Sequence, residues 1–359
     1  MPPPTVKVHF WPHSRRMHVA SYRLRCHLVM EGLRAQGVDA ALYEAGDRPS
    51  VLVLSKLYDP ASLAQALELK RQFGTRLYLD LCDNHFYFKE ASAEASRRTA
   101  ELDVAVRAVD HVIASTAYLA DVIQQRPQMS VPVSVIEDLV EFPRPRQLLD
   151  PLRHPRRYLQ YLSLKSWLEK TTPDVRRRLV WFGNHGGGFA DSGMYDLRTI
   201  RPTLDELYRQ VPISLTVISN SREKYEALVH DWTVPTYYLE WNETFISPAL
   251  RLHGVSVIPI TRNPFTLAKS PNRVETSLIH GLGVVADRIP SYDKYRDDIY
   301  LDDWQEGLQA LVGGTGDRGR LRSAEFAQAN RDVIRAWQGL LCDAPEGFDE
   351  SAVAADAPS

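Results

Sequence analysis

Apolar and polar residues along this chain follow two alternating rhythms, short runs rich in β-branched and aromatic residues and longer stretches with helical spacing. The run 6–11, VKVHFW, predicts a strand, 21–37 a helix closed by Gly37, 51–56 a strand, and 61–74 a helix closed by Gly74. A strand over 76–82, a long helix from about 90 to 110, a strand over 111–115, a helix over AYLADVIQQ and a strand over 133–138 follow. Strands that alternate with helices predict parallel sheets joined by crossover helices.

The rhythm breaks over 142–178, where Pro and Arg crowd together, and restarts with RLVWFG at 178–183. Strands over 214–219, 237–241 and 255–260 then alternate with helices over 199–210, 222–232 and 245–253. The expected fold class is α/β, with two Rossmann-like domains facing a cleft. Residues 1–142 form the first domain, 143–177 a basic linker or insert, 178–340 the second domain, and 343–359 an acidic tail expected to be disordered. A length of 359 residues suits two cores, and clefts between domains are where ligands usually bind.

Composition adds limits. With 44% hydrophobic and 25% charged residues and a formal net charge of -2, the chain reads as soluble and globular, with no nucleic-acid partner. The charge is uneven, ten Lys/Arg against three Asp/Glu between Arg144 and Arg178, and five acids without a base from Asp343 to Ser359. The basic stretch RRYLQYLSLKSWL has two readings, a cover for the domain interface, which comes first, or an amphipathic helix on an anionic bilayer. Cys26, Cys82 and Cys342 lie in apolar contexts without metal-ligand spacing, which fits buried thiols in a reducing compartment. His9, His13 and His18 lack partner carboxylates at zinc-site spacing, no H-E-x-x-H or Asp-x-Asp occurs, and no metal is expected. The N-terminus has no apolar h-region and no run approaches a membrane span, so the expected location is cytoplasmic, with peripheral membrane contact at most.

Candidate chemistry gathers at strand ends. FGNHGGGFADSG, 182–193, follows a strand and precedes a helix, so Gly186, Gly187 and Gly188 let backbone N–H groups approach a phosphate; Asn184 and Gly186 are the expected contacts. In KSPNRVETSLIHGLGVV, Ser270 suits an N-cap, Pro271 the first helical position and Gly281 the left-handed close. Capping leaves Lys269, Asn272, Arg273 and Glu275 over; phosphate binding at the helix start, with Glu275 accepting from ribose hydroxyls, stands level with a plain cap. DLCDNHFYF offers His85 as a proton shuttle or sugar contact and Asp83 as its orienter or a base, beside the reading of a structural loop. Arg23 and Arg25 are surface charges first and anion contacts second, and Trp241 is core packing first and a nucleobase platform second. GTGDRG, 314–319, has no strand before it and reads as a turn between helices, and the absence of glycines after the first strand argues against a nicotinamide oxidoreductase.

The stretch from Trp241 to Tyr292, with its KSPNRVETSLIHGLGVVADRIPSY, resembles the C-terminal domain of family-4-like GT-B glycosyltransferases, in which SPNK…E…LA.G.PVVA covers the donor diphosphate and ribose. WFGNHGGG, YRLRCHLVMEGLRAQGVDA, LDLCDNHF, HVIASTAYLADVI and VIEDLVEF are similar to parts of the same group. The resemblance implies transfer of a sugar from a nucleotide diphosphate sugar, retention of configuration, no metal and no cofactor beyond the donor. It also implies a role in glycan or polysaccharide biosynthesis on an unknown acceptor, a lipid-linked glycan included. Two positions differ: the glutamate expected eight residues before Glu275 is Leu267, and Gly-x-Pro is replaced by His-Gly-Leu-Gly at 280–283. Leu267 keeps a second reading open, a sugar- or nucleotide-binding module or partner subunit without catalysis.

Overall fold

The structure, a computed structural model, describes residues 6–143, 150–187, 190–316 and 323–343. Twelve strands make two sheets. The first holds β1 (Lys7–Pro12), β2 (Asp39–Leu42), β3 (Val51–Ser55), β4 (Arg76–Leu81), β5 (His111–Ala114) and β6 (Val133–Val135) in the order β2-β1-β3-β4-β5-β6. The second holds β7 (Arg178–Phe182), β8 (Ser214–Ser219), β9 (Thr236–Glu240), β10 (Val255–Ile258), β11 (Gly283–Ala286) and β12 (Tyr300–Leu301) in the order β12-β11-β10-β7-β8-β9. Every pairing is parallel, with Val8 opposite Val51 and Val257 opposite Val285.

Helices on both faces explain why β3, β7, β8, β10 and β11 are buried along their whole length. In β3 the period of two splits the apolar residues between two cores: Leu52 and Leu54 pack with Leu77 and Leu79 on one face, Val51 and Val53 with Val8 and Phe10 on the other. Local chemistry sets the helix ends. Asp59 caps Pro60–Phe73 by accepting from Ser62 N at 3.0 Å, and Gly74 closes that helix at φ +68°. Ser92 and Thr116 cap Ala93–Ala108 and Ala117–Gln124 in the same way.

Strand order locates the ligand crevices. From β7 the chain steps to β8 and β9, then returns to the other side of β7 for β10 to β12, so direction reverses between β7 and β10. Open α/β sheets bind ligands at the carboxyl ends of the strands at such a reversal. The first sheet reverses between β1 and β3.

Two expectations about extent need correction. The second unit does not run to residue 340. The helix Ser323–Cys342 returns to the first unit, where Ile334, Trp337 and Leu341 join the core of Phe10, Val29 and Leu33. Gly32 permits this close approach, since a Cβ there would lie 2.3 Å from Ile334 Cδ1. Asn330 clasps Val140 by its N–H and its carbonyl, both at 2.8 Å, and Tyr78 donates to Leu340 O at 3.0 Å. Likewise the helix Pro155–Thr171 of the basic stretch packs on the second unit, with Tyr161, Leu164 and Leu168 against Phe245 and Leu250, and does not cover the interface. Residues 144–149, Gly188, 317–319 of the glycine turn and 344–359 of the tail lie outside the described residues. Cys26 is buried as expected, whereas Cys82 and Cys342 are half-buried.

Candidate functional site

The loop after β7 is built on two glycines. Gly186 and Gly193 adopt φ +97° and +96°, and a Cβ on Gly186 would lie 2.2 Å from Ser192 O. The two backbones meet at a distance only glycine allows. Asn184 Oδ1 accepts from Gly186 N at 3.1 Å, so Asn184 shapes the turn, and His185 bonds Asn220 Oδ1 through its backbone N–H and Nδ1 at 3.0 and 2.8 Å. Asp196 then ties both sides of the reversal: its buried carboxylate accepts from Gly193 N at 2.8 Å and Thr261 Oγ1 at 2.6 Å, and burial pushes its pKa up.

Between these walls, at the carboxyl ends of β7 and β10, lies a cavity of about 300 Å³. His185, Gly186, Tyr195, Arg198, Lys224 and Thr261 are among its lining residues. The Arg198 guanidinium lies 4.6 Å over the Tyr195 ring, and Lys224 Nζ is 3.5 Å from Gly186 O. Neither cation has an ion pair among the described residues, so both are available to an anion. Sequence reasoning missed them. Their only signal was position, just past the carboxyl ends of β7 and β8.

Arg273 stands beside the cavity without lining it. Its Nη1 is 3.8 Å from where a Cβ on Gly183 would stand, and its charge acts on Asp196 and Tyr292. Asn272, half-buried, has no hydrogen-bond partner among the described residues. The rest of the expected clamp is engaged elsewhere. The helix is Asn272–Ile279 with Pro271 at the N-cap position, so Ser270 is not the cap. Its hydroxyl donates instead to the buried carboxylate Asp138 Oδ2 at 2.5 Å, a charge-assisted bond across the cleft. Glu275 is engaged within its own unit. It is 4% exposed and accepts from Tyr295 Oη at 2.6 Å, while Lys294 stands 3.2 Å away; burial raises its pKa against that charge.

Lys269 crosses to the first unit, where its ammonium and that of Lys56 share the Asp83 carboxylate. Lys56 holds a left-handed φ of +53° at the end of β3. Burial alone would raise the Asp83 pKa, but the two lysines hold it well below the usual carboxylate range. Asp83 is therefore an ionised tie and a poor base, which corrects that reading. His85 Nδ1 is 3.0 Å from Tyr58 Oη and its Nε2 3.9 Å from Asp83, and burial followed by the Lys56 charge lowers its pKa to about 4. It is neutral at physiological pH.

The arginines of the first helix are not surface charges. Arg25 is buried, with Asp80 at 2.6 Å and Asp138 at 3.0 Å, and so extends the contact of Ser270 into the first core. Arg23 pairs with Glu141 at 2.8 Å and lies 5.4 Å over Trp241. The Trp241 ring packs against the core of Phe245 and Leu250, the first of its two readings, with Arg23 lying over it. Among the described residues no three His, Cys, Asp or Glu side chains converge as metal ligands, and no helix is long and apolar enough to cross a membrane.

No protein-family model matches the chain, and no curated protein matches it in sequence. Solved structures do match in shape. Sucrose-phosphate synthase from Thermosynechococcus elongatus superposes at TM-score 0.57 with 12% identity over 93% of this chain and 96% of that one. The lipopolysaccharide outer core galactosyltransferase WaaB superposes at 0.52 with 10% identity over 93% and 98%. S. aureus TarM superposes at 0.52 with 12% identity over 82% of this chain but 55% of its own, so this chain spans about half of TarM. At such identities the likeness is one of fold: two parallel six-stranded sheets, each flanked by helices, give this chain the GT-B architecture of those glycosyltransferases.

Proposed function

We propose that this chain transfers a sugar from a nucleoside diphosphate sugar to an acceptor held against the first unit. The observation that carries the reading is the cavity of about 300 Å³ at the β7/β10 reversal, where Arg198 and Lys224, without an ion pair among the described residues, meet the Gly186 loop. Arg273 beside Gly183 adds a third positive charge. These cations and the loop amides would neutralise the leaving diphosphate, the part a metal plays elsewhere, and Lys269 would join them on leaving Asp83. His85, neutral at physiological pH, is the group to bond the sugar. Closure of the cleft would exclude water from the donor. In its finer form the reading has configuration retained, no metal and no cofactor, with a step in glycan assembly as the setting and a lipid-linked glycan the first acceptor to try. UDP is the first nucleotide to test, because TarM was solved with UDP bound.

A second reading has one observation in its favour. Leu267, where a sugar-contacting acid was expected, packs against the core of Val274 and Ile258, and Asp83 is occupied by two lysines. A nucleotide-binding module without catalysis would look like this. Incubation with UDP- and GDP-sugars separates the two: turnover or slow hydrolysis supports the transferase, and tight binding with neither supports the module.

A further inference from the structure

From Asp150 to Thr171, the span of two helices, the chain carries five basic side chains, Arg153, Arg156, Arg157, Lys165 and Lys170, and two acids, Asp150 and Glu169, the latter 3.8 Å from Lys165. The helix Pro155–Thr171 already has its packing satisfied on one side. Tyr161, Leu164 and Leu168 are buried, the Tyr161 ring is 5.9 Å from that of Phe245, and Trp167 is 5.1 Å from Tyr237. At roughly 100° per residue, Leu159 and Leu162 fall on the opposite side with Arg156. Leu152, in the short helix Asp150–Arg153 just before, is 78% exposed and Leu159 61%, whereas the next large apolar residue among those described, Val104, reaches 52%. Leu162 is 37% exposed. Single exposed leucines are ordinary, but three inside one mainly basic stretch are a pattern.

We propose that this face docks on an anionic lipid bilayer, with Leu152, Leu159 and Leu162 entering the boundary of headgroups and acyl chains and Arg156, with the exposed Arg157 beside it at the start of the helix, meeting lipid phosphates. A bilayer satisfies both halves of the pattern at once, apolar burial and anionic charge. A second copy of the chain would set like charges against like. The chain's own acidic end, 343–359, carries five acids but only Phe348 and Val353 as large apolar residues, so it answers the arginines and leaves the leucines uncovered. The inference does not rest on the donor reading, since none of these residues lines the cavity at β7 and β10.

The test is co-sedimentation of the full chain with vesicles of phosphatidylcholine alone or mixed with phosphatidylglycerol. The chain is expected to partition onto the mixed vesicles and stay in solution with the neutral ones. The pair Leu152→Ser and Leu159→Ser, and separately Arg156→Gln with Arg157→Gln, should each weaken partitioning about tenfold, as should raised salt, with unchanged thermal unfolding because the side chains are exposed. No partitioning, or partitioning untouched by both pairs, overturns the proposal. So does self-association in sedimentation velocity that Leu159→Ser abolishes, which would assign the face to a second copy.

Discussion

Lys269, just before the helix of the second unit, is bound to Asp83 at the end of β4 across the cleft. The rest of its segment follows it. Asn84 donates to Pro264 O at 3.0 Å, Thr116 to Ala268 O at 3.1 Å, and the Ala268 methyl lies in the first unit's core. Lys294 extends the contact, reaching Glu137 of the first unit at 2.7 Å and Glu275 of its own at 3.2 Å. One carboxylate shared by two ammonium groups leaves positive charge in the cleft, so an anion arriving there would compete with Asp83 for Lys269.

Replacing Asp83 by Asn strands Lys56 without a counter-charge and frees Lys269. Unfolding in urea should show a loss of about 3 kcal/mol, the order found when one partner of a buried pair is removed. Affinity for UDP should hold or rise, since Lys269 becomes available. A weaker affinity would mean that Asp83 itself contacts the ligand.

His85 and His253 fix the direction of the acid response. Burial is the leading cause that lowers both to about 4, and in the folded chain His253 Nε2 lies 2.7 Å from Thr216 Oγ1 with Nδ1 2.9 Å from Ala249 O. Unfolded, each binds a proton near the ordinary value of about 6.5, so the unfolded state takes up more protons between those values. Stability is then fully present above about pH 6.5 and is lost as pH falls towards 4, by at most about 3 kcal/mol per histidine. Urea midpoints at pH 7 and pH 5 check the sign, and His253→Gln should flatten the slope.

Gly186 should not tolerate a methyl group. Both the positive φ and the 2.2 Å approach to Ser192 O oppose alanine, so Gly186→Ala should displace the loop, cost about 1–3 kcal/mol and weaken nucleotide binding. Gly46→Ala is the control, because Gly46 shares the positive φ at +99° but has open space around it. It should leave binding unchanged in the same titration.

The return of the last helix makes a stability prediction of its own. Trp337 is fully buried, 5.9 Å from Phe10 and 5.4 Å from Arg25. Trp337→Ala should destabilise by about 3–5 kcal/mol in chemical unfolding. A loss under about 1 kcal/mol would show that this helix does not complete the first core.

What the sequence made legible follows from what each element needs. Buried parallel strands need unbroken apolar runs, so VLVLS, SLTVIS and VSVI were plain, while β2, DAAL, and β12, two residues long, lie at sheet edges and carry no such pattern. The reading of GTGDRG as a turn put a helix after it, but nothing local showed that the partner of Ser323–Cys342 is the core of β1, more than 300 residues earlier. At the site, Gly186 was readable because loop geometry selects glycine locally. Ser270 was misread as a cap and the partner of Glu275 went unseen, because Asp138 across the cleft and Tyr295 a turn beyond the next strand are brought to them by tertiary packing. Arg198 and Lys224 look like any surface cation until the strand order puts them at one cavity.

The central claim is that a nucleoside diphosphate binds where β7 and β10 diverge. Calorimetric titration of UDP and GDP into the wild-type chain, into Arg198→Ala with Lys224→Ala, and into Arg273→Ala tests it most directly. The account predicts saturable binding by the wild type, weakened at least about tenfold in either variant, as expected for lost charge-assisted contacts, with thermal unfolding unchanged. Equal affinity in all three, or no binding by the wild type, would contradict it.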